Sequence, residues 1–188
     1  MPHSGPWRCI VERMNNSVMA IVRLVHILAG IFWVGATLTL SAFLLPAARA
    51  VGPSGGAVMT QLMGRQRLQF WINVGMALTI LAGFALFGID SKASGGGFGR
   101  SAMGITLSIG ALLAIVAAGV HGAMAQPAAR KLGAIAQRME ESQRAGAAPP
   151  ADLAAEAVPL RQKFSRAQAI MSWLLVLSAT TMAIARYL

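Results

Sequence analysis

Long runs without charge constrain this chain more than any other feature of its sequence. The stretches 24–48, 68–89, 101–129 and 167–185 contain no Asp, Glu, Lys or Arg. As an α-helix, each is long enough to cross a hydrocarbon core of roughly 30 Å, which takes about 20 residues. A helix also satisfies its own backbone N–H and C=O groups, for which lipid offers no partners. The sequence therefore predicts an all-α fold, a polytopic four-helix transmembrane bundle.

Composition and length agree with one membrane domain. The 188 residues are 56% hydrophobic and 12% charged, about half the charged fraction of a soluble domain. We predict four spans, at about 17–46, 68–89, 101–126 and 167–187. Pro46 is expected to end the first span. The bundle domain (17–188) follows a predicted mobile N-terminal segment (1–16) and carries a basic loop extension at 127–166.

The net charge of +10 is typical of membrane flanks that face anionic lipid. No basic helix is interleaved with stacking aromatics, so we expect the lipid bilayer as partner and no nucleic acid. Six Lys and Arg residues lie in the N-terminal segment, loop 90–100 and the C-terminus, against ten in loops 47–67 and 127–166. This difference predicts both termini outside and the 127–166 loop in the cytoplasm.

Two of the predicted spans carry one histidine each, His26 and His121. Ionisable groups within spans usually face the bundle interior and mark functional sites. A neutral histidine also serves as packing glue, through a hydrogen bond to a neighbouring helix worth about 1–2 kcal/mol. Both interpretations remain open at the level of the sequence.

The residues around His26 suit a cofactor. Gly30 and Trp33 follow it at i+4 and i+7 on one helical face, and Arg23 lies one turn before it. A glycine beside the imidazole lets a partner helix or a flat macrocycle approach closely. Arg23 suits snorkelling to the interface or pairing with an acidic group such as a haem propionate.

Met124 lies three residues after His121 on the same face. Imidazole and thioether together suit Cu(I) or a haem iron, so the candidate metal ligands are His26, His121 and Met124. The positions of the two histidines in parallel spans predict a depth difference of roughly 20 Å, which places them in separate layers. The expected neighbours are Met103, Met182 and Arg186 for His26, and Asn73, Met76, Gln168 and Met171 for His121.

The first span carries a distinctive pattern, LVHILAGIFWVGATLTLSAFLLPAAR, in which Trp-x-Gly follows seven residues after histidine (His26, Trp33, Gly35). This pattern resembles the opening of the copper-resistance protein D family, and the Arg-rich entry to span two and the GFGR turn are also similar. The resemblance covers about residues 20–130. It implies a bacterial inner-membrane bundle for copper uptake or handling, with a membrane or periplasmic copper or redox partner.

His26 also resembles the first-span histidine of the bacterial membrane protoporphyrinogen oxidases, which are similar four-helix proteins that bind haem b. Either copper or haem b is therefore expected as the cofactor, with copper handling or transport as the first function. The alternatives are a b-type haem protein of electron transfer or oxidase type, and a non-catalytic membrane assembly or interaction protein. A homo-oligomer is a further partner expectation. No acidic residue lies within a span and no Ser-His-acid arrangement is visible, which argues against hydrolytic catalysis.

Overall fold

The computed structural model is a helical bundle. It describes residues 6–146, 148 and 151–188, with side chains from residue 16 onward except at 53 and 151. No strand occurs within those ranges. Four of the described helices are long and apolar enough to cross a membrane: Asn16–Ala50, Leu68–Ala93, Ala102–Arg144 and Asp152–Ala185. The predicted all-α, four-span architecture is confirmed.

The first span runs past Pro46, so the prediction that proline ends it is wrong. Helix α1 (Pro6–Thr39) passes through a π-helical turn (Leu40–Leu44) into α2 (Leu45–Ala50). Proline lacks the N–H of the α-helical ladder and its ring clashes with the preceding turn. The wider π turn relaxes this crowding, which lets the helix continue. The predicted mobile segment 1–16 lies partly outside the described residues, and its backbone is helical from Pro6.

The third span repeats this arrangement. Helix α5 (Ala102–Val120) continues through a π turn (His121–Ala125) into α6 (Gln126–Arg144), with Pro127 at the start of α6. At its other end, the Ser101 hydroxyl caps α5 by accepting from the Gly104 N–H at 3.0 Å. The span is therefore one continuous helix that extends beyond the membrane.

The other elements complete an up-and-down bundle. Helix α3 (Pro53–Thr60) and a π turn (Gln61–Arg65) connect α2 to α4 (Leu68–Ala93), and α7 (Ala151–Ala185) is the last helix. Helix α1 packs along α4, and α5 packs along α7, while α1 with α7 and α4 with α5 close the ring. The predicted fourth span, 167–187, is the second half of the longer α7.

Small residues let the helices of each pair approach closely, as is usual in membranes. A Cβ at Gly75 of α4 would lie 2.9 Å from the Phe32 ring of α1. A Cβ at Gly110 of α5 would lie 2.8 Å from atoms of Thr181 and Met182 of α7. The Ser178 hydroxyl of α7 donates to the Gly110 carbonyl at 2.7 Å. The outer faces are apolar and exposed, for example at Ile31, Phe84, Leu112 and Leu177.

The region predicted as a basic loop extension, 127–166, is mostly helical. Helix α6 and the first half of α7 form a hairpin with a small core of its own, made by Ile135, Leu153 and Ala157. The apolar positions of the two helices recur at helical spacing, so pairing them buries one stripe of each. The charged residues of the hairpin lie on its exposed faces.

Candidate functional site

The core of the bundle contains two apolar clusters stacked along its axis. The tryptophan cluster consists of Trp33, Ile72, Ala114, Ala117 and Leu175. The methionine cluster has a buried centre of Leu40, Ala125, Ala128, Phe164, Ala167 and Met171. The first span, the third span and α7 each contribute to both clusters, so the border between the clusters crosses these three spans.

Polar side chains from all four spans lie at or next to this border. Thr37 falls between the residues that the first span gives to the two clusters, and His121 falls between those of the third span. Gln69 and Asn73 approach from α4, and Gln168 lies on α7 beside the methionine cluster. We call these five residues the polar layer. Buried polar groups in a membrane bundle are costly and usually functional.

His121 is the centre of the hydrogen bonds in the polar layer. It is 2% exposed, and its Nε2 lies 2.7 Å from the Asn73 Oδ1. Nε2–H donates to this amide oxygen, so Nδ1 carries the lone pair of the neutral ring. The Gln69 Nε2 lies 3.1 Å from the same ring nitrogen and donates to Asn73 Oδ1 at 3.3 Å. The predicted neighbourhood of His121 and Asn73 is confirmed.

Several buried polar atoms around this network have no hydrogen-bond partner among the described residues. They are Trp33 Nε1, Thr37 Oγ1, Gln69 Oε1, His121 Nδ1 and Gln168 Oε1. An unpaired buried polar group costs about 1–3 kcal/mol, and such groups normally bind water or a ligand. Three of the five are acceptor atoms, an amide oxygen of each glutamine and the imidazole nitrogen, so the layer favours a cation or a hydrogen-bond donor.

Methionine thioethers adjoin the polar layer on one side. Met59, Met63 and Met124 pack against the methionine cluster, whose centre includes the fully buried Met171. Met124 is on the same π turn as His121. The predicted pairing of imidazole and thioether therefore lies beside a larger group of sulfur atoms.

His26 lies in a different layer, between α1 and α4. Its Nδ1–H donates to the Thr79 carbonyl at 2.8 Å, and Nε2 then carries the lone pair. Thr79 follows Asn73 by six residues, about 9 Å along α4. This axial separation of the two histidines' partners is smaller than the predicted depth difference of roughly 20 Å. The two histidines nonetheless contact different parts of α4.

The structure places the other residues predicted around His26 as follows. Gly30 faces the Thr79 side chain, 3.6 Å from the position of a Cβ, so this glycine admits a neighbouring helix. Trp33 is 1% exposed and belongs to the tryptophan cluster. Arg23 is exposed and lies 4.0 Å from the Met19 sulfur. Gly30, Trp33 and Arg23 therefore have different neighbours.

The expected neighbours of His26 from the other spans have their own contacts. Met182 packs against Gly110, Arg186 lies over the Tyr187 ring at 5.3 Å, and Met103 is 39% exposed. The contacts seen for His26 itself are with Thr79 and Gly83 of α4.

Gln69, Met59 and Met63 were not among the sequence candidates. Gln69 lies one turn before Asn73 at the edge of a charge-free run, and this i, i+4 spacing is the signal that identifies it. The two methionines lie four residues apart in the connector between spans one and two. Their spacing indicates a shared face, but only the fold shows that this face covers the end of the bundle.

The metal-ligating side chains among the described residues limit which metal ions the protein can bind. No three His, Cys, Asp or Glu residues with described positions form a group that could hold a metal ion. Zinc sites use several such ligands, whereas soft Cu(I) also accepts thioethers. The chain matches no family model, no curated protein and no solved structure. Its function is therefore argued from the geometry.

Proposed function

We propose that this protein binds and passes Cu(I) within the membrane, with His121 as the nitrogen ligand. One observation carries the proposal: the His121 Nδ1 is buried and has no partner among the described residues. The hydrogen bond from Nε2–H to Asn73 fixes the ring in the tautomer whose Nδ1 can ligate. Metal-binding imidazoles are usually oriented by such a bond from the other ring nitrogen.

The residues of the polar layer and of the adjoining π turn fit a soft monovalent cation. Met124, one turn away along the π turn, supplies a thioether, and thioether and imidazole are ligands that Cu(I) accepts. The unpaired amide oxygens of Gln69 and Gln168 add partial negative charge without a full carboxylate. Bound at this layer, Cu(I) would supply a charge and a ligand-exchange centre, while the protein residues orient and desolvate it.

The sequence supports the same assignment. The first span resembles the copper-resistance protein D family, which implies copper handling at the bacterial inner membrane. The end of the bundle formed by α2, α3 and the hairpin carries most of the basic residues, which supports a cytoplasmic position for that end and both termini outside.

Copper stoichiometry in matched histidine variants tests the proposal. Detergent-purified protein is titrated anaerobically against a coloured Cu(I) chelator. We expect one tightly bound Cu(I) per chain, and a loss of affinity of more than about 100-fold in His121→Asn, since a ligand matters more than the residues behind it. His26→Asn should keep the wild-type affinity. No bound copper, or equal affinity in wild type and His121→Asn, would refute the proposal.

Haem b at His26 is the second candidate function. The observation that favours it is the 2.8 Å hydrogen bond from Nδ1–H to the Thr79 carbonyl, which orients the ring and leaves Nε2 for an axial bond. His26 as a whole is half-buried. A bound haem would supply one-electron chemistry. A red preparation whose Soret band is lost in His26→Asn but kept in His121→Asn supports it, and colourless protein from haem-replete cells contradicts it.

A further inference from the structure

Methionine is concentrated at one end of the bundle core. Of the chain's 11 methionines, four contact the methionine cluster, namely Met59, Met63, Met124 and Met171. The tryptophan cluster and the hairpin core have one methionine contact each, Met76 and Met139. Methionine often fills irregular gaps in a core, so concentration alone does not define a site. The positions of the four residues in the fold add the second observation.

The four thioethers come from four different segments that meet at this end of the bundle. Met59 is on α3 and Met63 on the following π turn, and both are partly exposed in the connector. Met124 is likewise partly exposed, whereas Met171 is fully buried. Beyond Met124, on the same π turn, is the His121 imidazole with its unpaired buried Nδ1. The connector methionines and the π turn that carries the nitrogen ligand of the proposed copper site thus border the same apolar cluster.

Positive charge is concentrated at this end of the bundle. Eight exposed Lys and Arg side chains lie at this end of the bundle, in α2, the connector and the hairpin: Arg49, Arg65, Arg67, Arg130, Lys131, Arg161, Lys163 and Arg166. Within the described part of the chain, the ion pair that forms is Arg144 with Glu140, farther along the hairpin. The acidic residues Glu140, Glu141, Asp152 and Glu156 also lie in that distal part. The field at the connector therefore repels a bare Cu⁺ ion and attracts an anionic complex.

We infer that Met59 and Met63 are the entry ligands, through which Cu(I) passes from an anionic complex held at the basic end to Met124 and His121. The inference rests on the proposed copper function and adds its route and the charge of its donor. Each step replaces one ligand of the copper ion by another, first thioether and finally imidazole, and the copper stays Cu(I). The thioethers of the connector act on the rate of loading, and His121 acts on the final affinity.

Transfer kinetics test the route. The probe is the anionic bis-chelate of Cu(I) with bathocuproine disulfonate, and loss of its colour after mixing with full-length protein under nitrogen gives the rate. We expect Met59→Leu/Met63→Leu to slow loading about tenfold, equivalent to a barrier higher by about 1.4 kcal/mol, with unchanged final stoichiometry. Leucine conserves volume, so the core should remain packed. Met139→Leu, in the hairpin core, is the matched control and should load at the wild-type rate.

A charge variant tests the donor. Lys163→Gln/Arg166→Gln should slow transfer from the anionic chelate by about tenfold, because electrostatic steering changes association rates by at least that factor. Arg100→Gln, at the other end of the bundle, should leave the rate unchanged. Equal transfer rates in wild type and Lys163→Gln/Arg166→Gln would overturn the inference that the donor complex is anionic.

The outcomes separate the route from the function. Slow loading in the methionine variant with full binding at equilibrium supports the inference. Unchanged loading in that variant, with copper still lost in His121→Asn, overturns the inference and leaves the copper function in place. Copper binding that is absent, or independent of His121, overturns both.

Discussion

Replacing Asn73 by leucine tests whether the polar layer holds His121 in the orientation seen in the structure. The substitution nearly conserves side-chain size and removes the oxygen that accepts from Nε2–H at 2.7 Å. Interhelical hydrogen bonds in membrane proteins contribute about 0.6 kcal/mol on average, up to about 1.7. A buried N–H without a partner adds a cost of about 1–3 kcal/mol.

Gln69 determines how much of this cost lowers the free energy of unfolding of Asn73→Leu. Its amide nitrogen lies 3.1 Å from the His121 Nε2, and its own Oε1 has no partner. In Asn73→Leu, a rotation of the Gln69 amide can offer this oxygen to the imidazole N–H. We therefore expect a loss of about 1 kcal/mol for Asn73→Leu, about 0.5 for Gln69→Leu, and about 3 for the double variant.

The assay is equilibrium unfolding in mixed micelles by SDS titration, followed by far-ultraviolet ellipticity. The diagnostic quantity is the coupling free energy of the double-mutant cycle, which should exceed about 1 kcal/mol because neighbours in one network are not additive. Additive losses, or an Asn73→Leu variant as stable as wild type, would refute the hydrogen-bonded layer.

Two further predictions concern close helix contacts, each with a control on the same helix. Gly110→Ala should lose about 1–3 kcal/mol of unfolding free energy by overpacking, because its Cβ would lie 2.8 Å from side chains of α7, whereas Gly119→Ala has open space and should not. Equal SDS midpoints for these two variants would contradict the packing of α5 on α7. Gly83→Ala would place a Cβ 3.0 Å from the His26 Cε1 and should shift the ring resonances of His26 in NMR spectra. Gly88→Ala, with nothing nearby, should leave the His26 signals in place, and identical spectra for both would exclude the contact.

The sequence predicts the four spans well because charge is excluded from lipid whatever the tertiary packing. It fails at Pro46, since the rule that proline ends a helix does not anticipate a π turn just before it. The hairpin core of Ile135, Leu153 and Ala157 depends on a pairing between two distant amphipathic stretches, which a local pattern does not specify.

The candidate site is predictable in part for a similar reason. His121 and Asn73 are rare polar residues inside apolar runs. Their similar depths in the two spans predict the contact that the structure shows. The partner of His26 is a backbone carbonyl, that of Thr79, and every residue has one, so no residue type marks it. Met59 and Met63 belong to a connector whose position over the bundle end is a product of the fold.

The length of the third span has a consequence for the size of any copper carrier. Ala102–Arg144 contains 43 residues, about 64 Å of helix against a hydrocarbon core of roughly 30 Å. Much of α6, paired with the first half of α7, therefore extends beyond the hydrocarbon core beside the connector. For the copper function proposed above, the hairpin beside the connector would hinder a globular carrier more than a peptide-sized thiol complex.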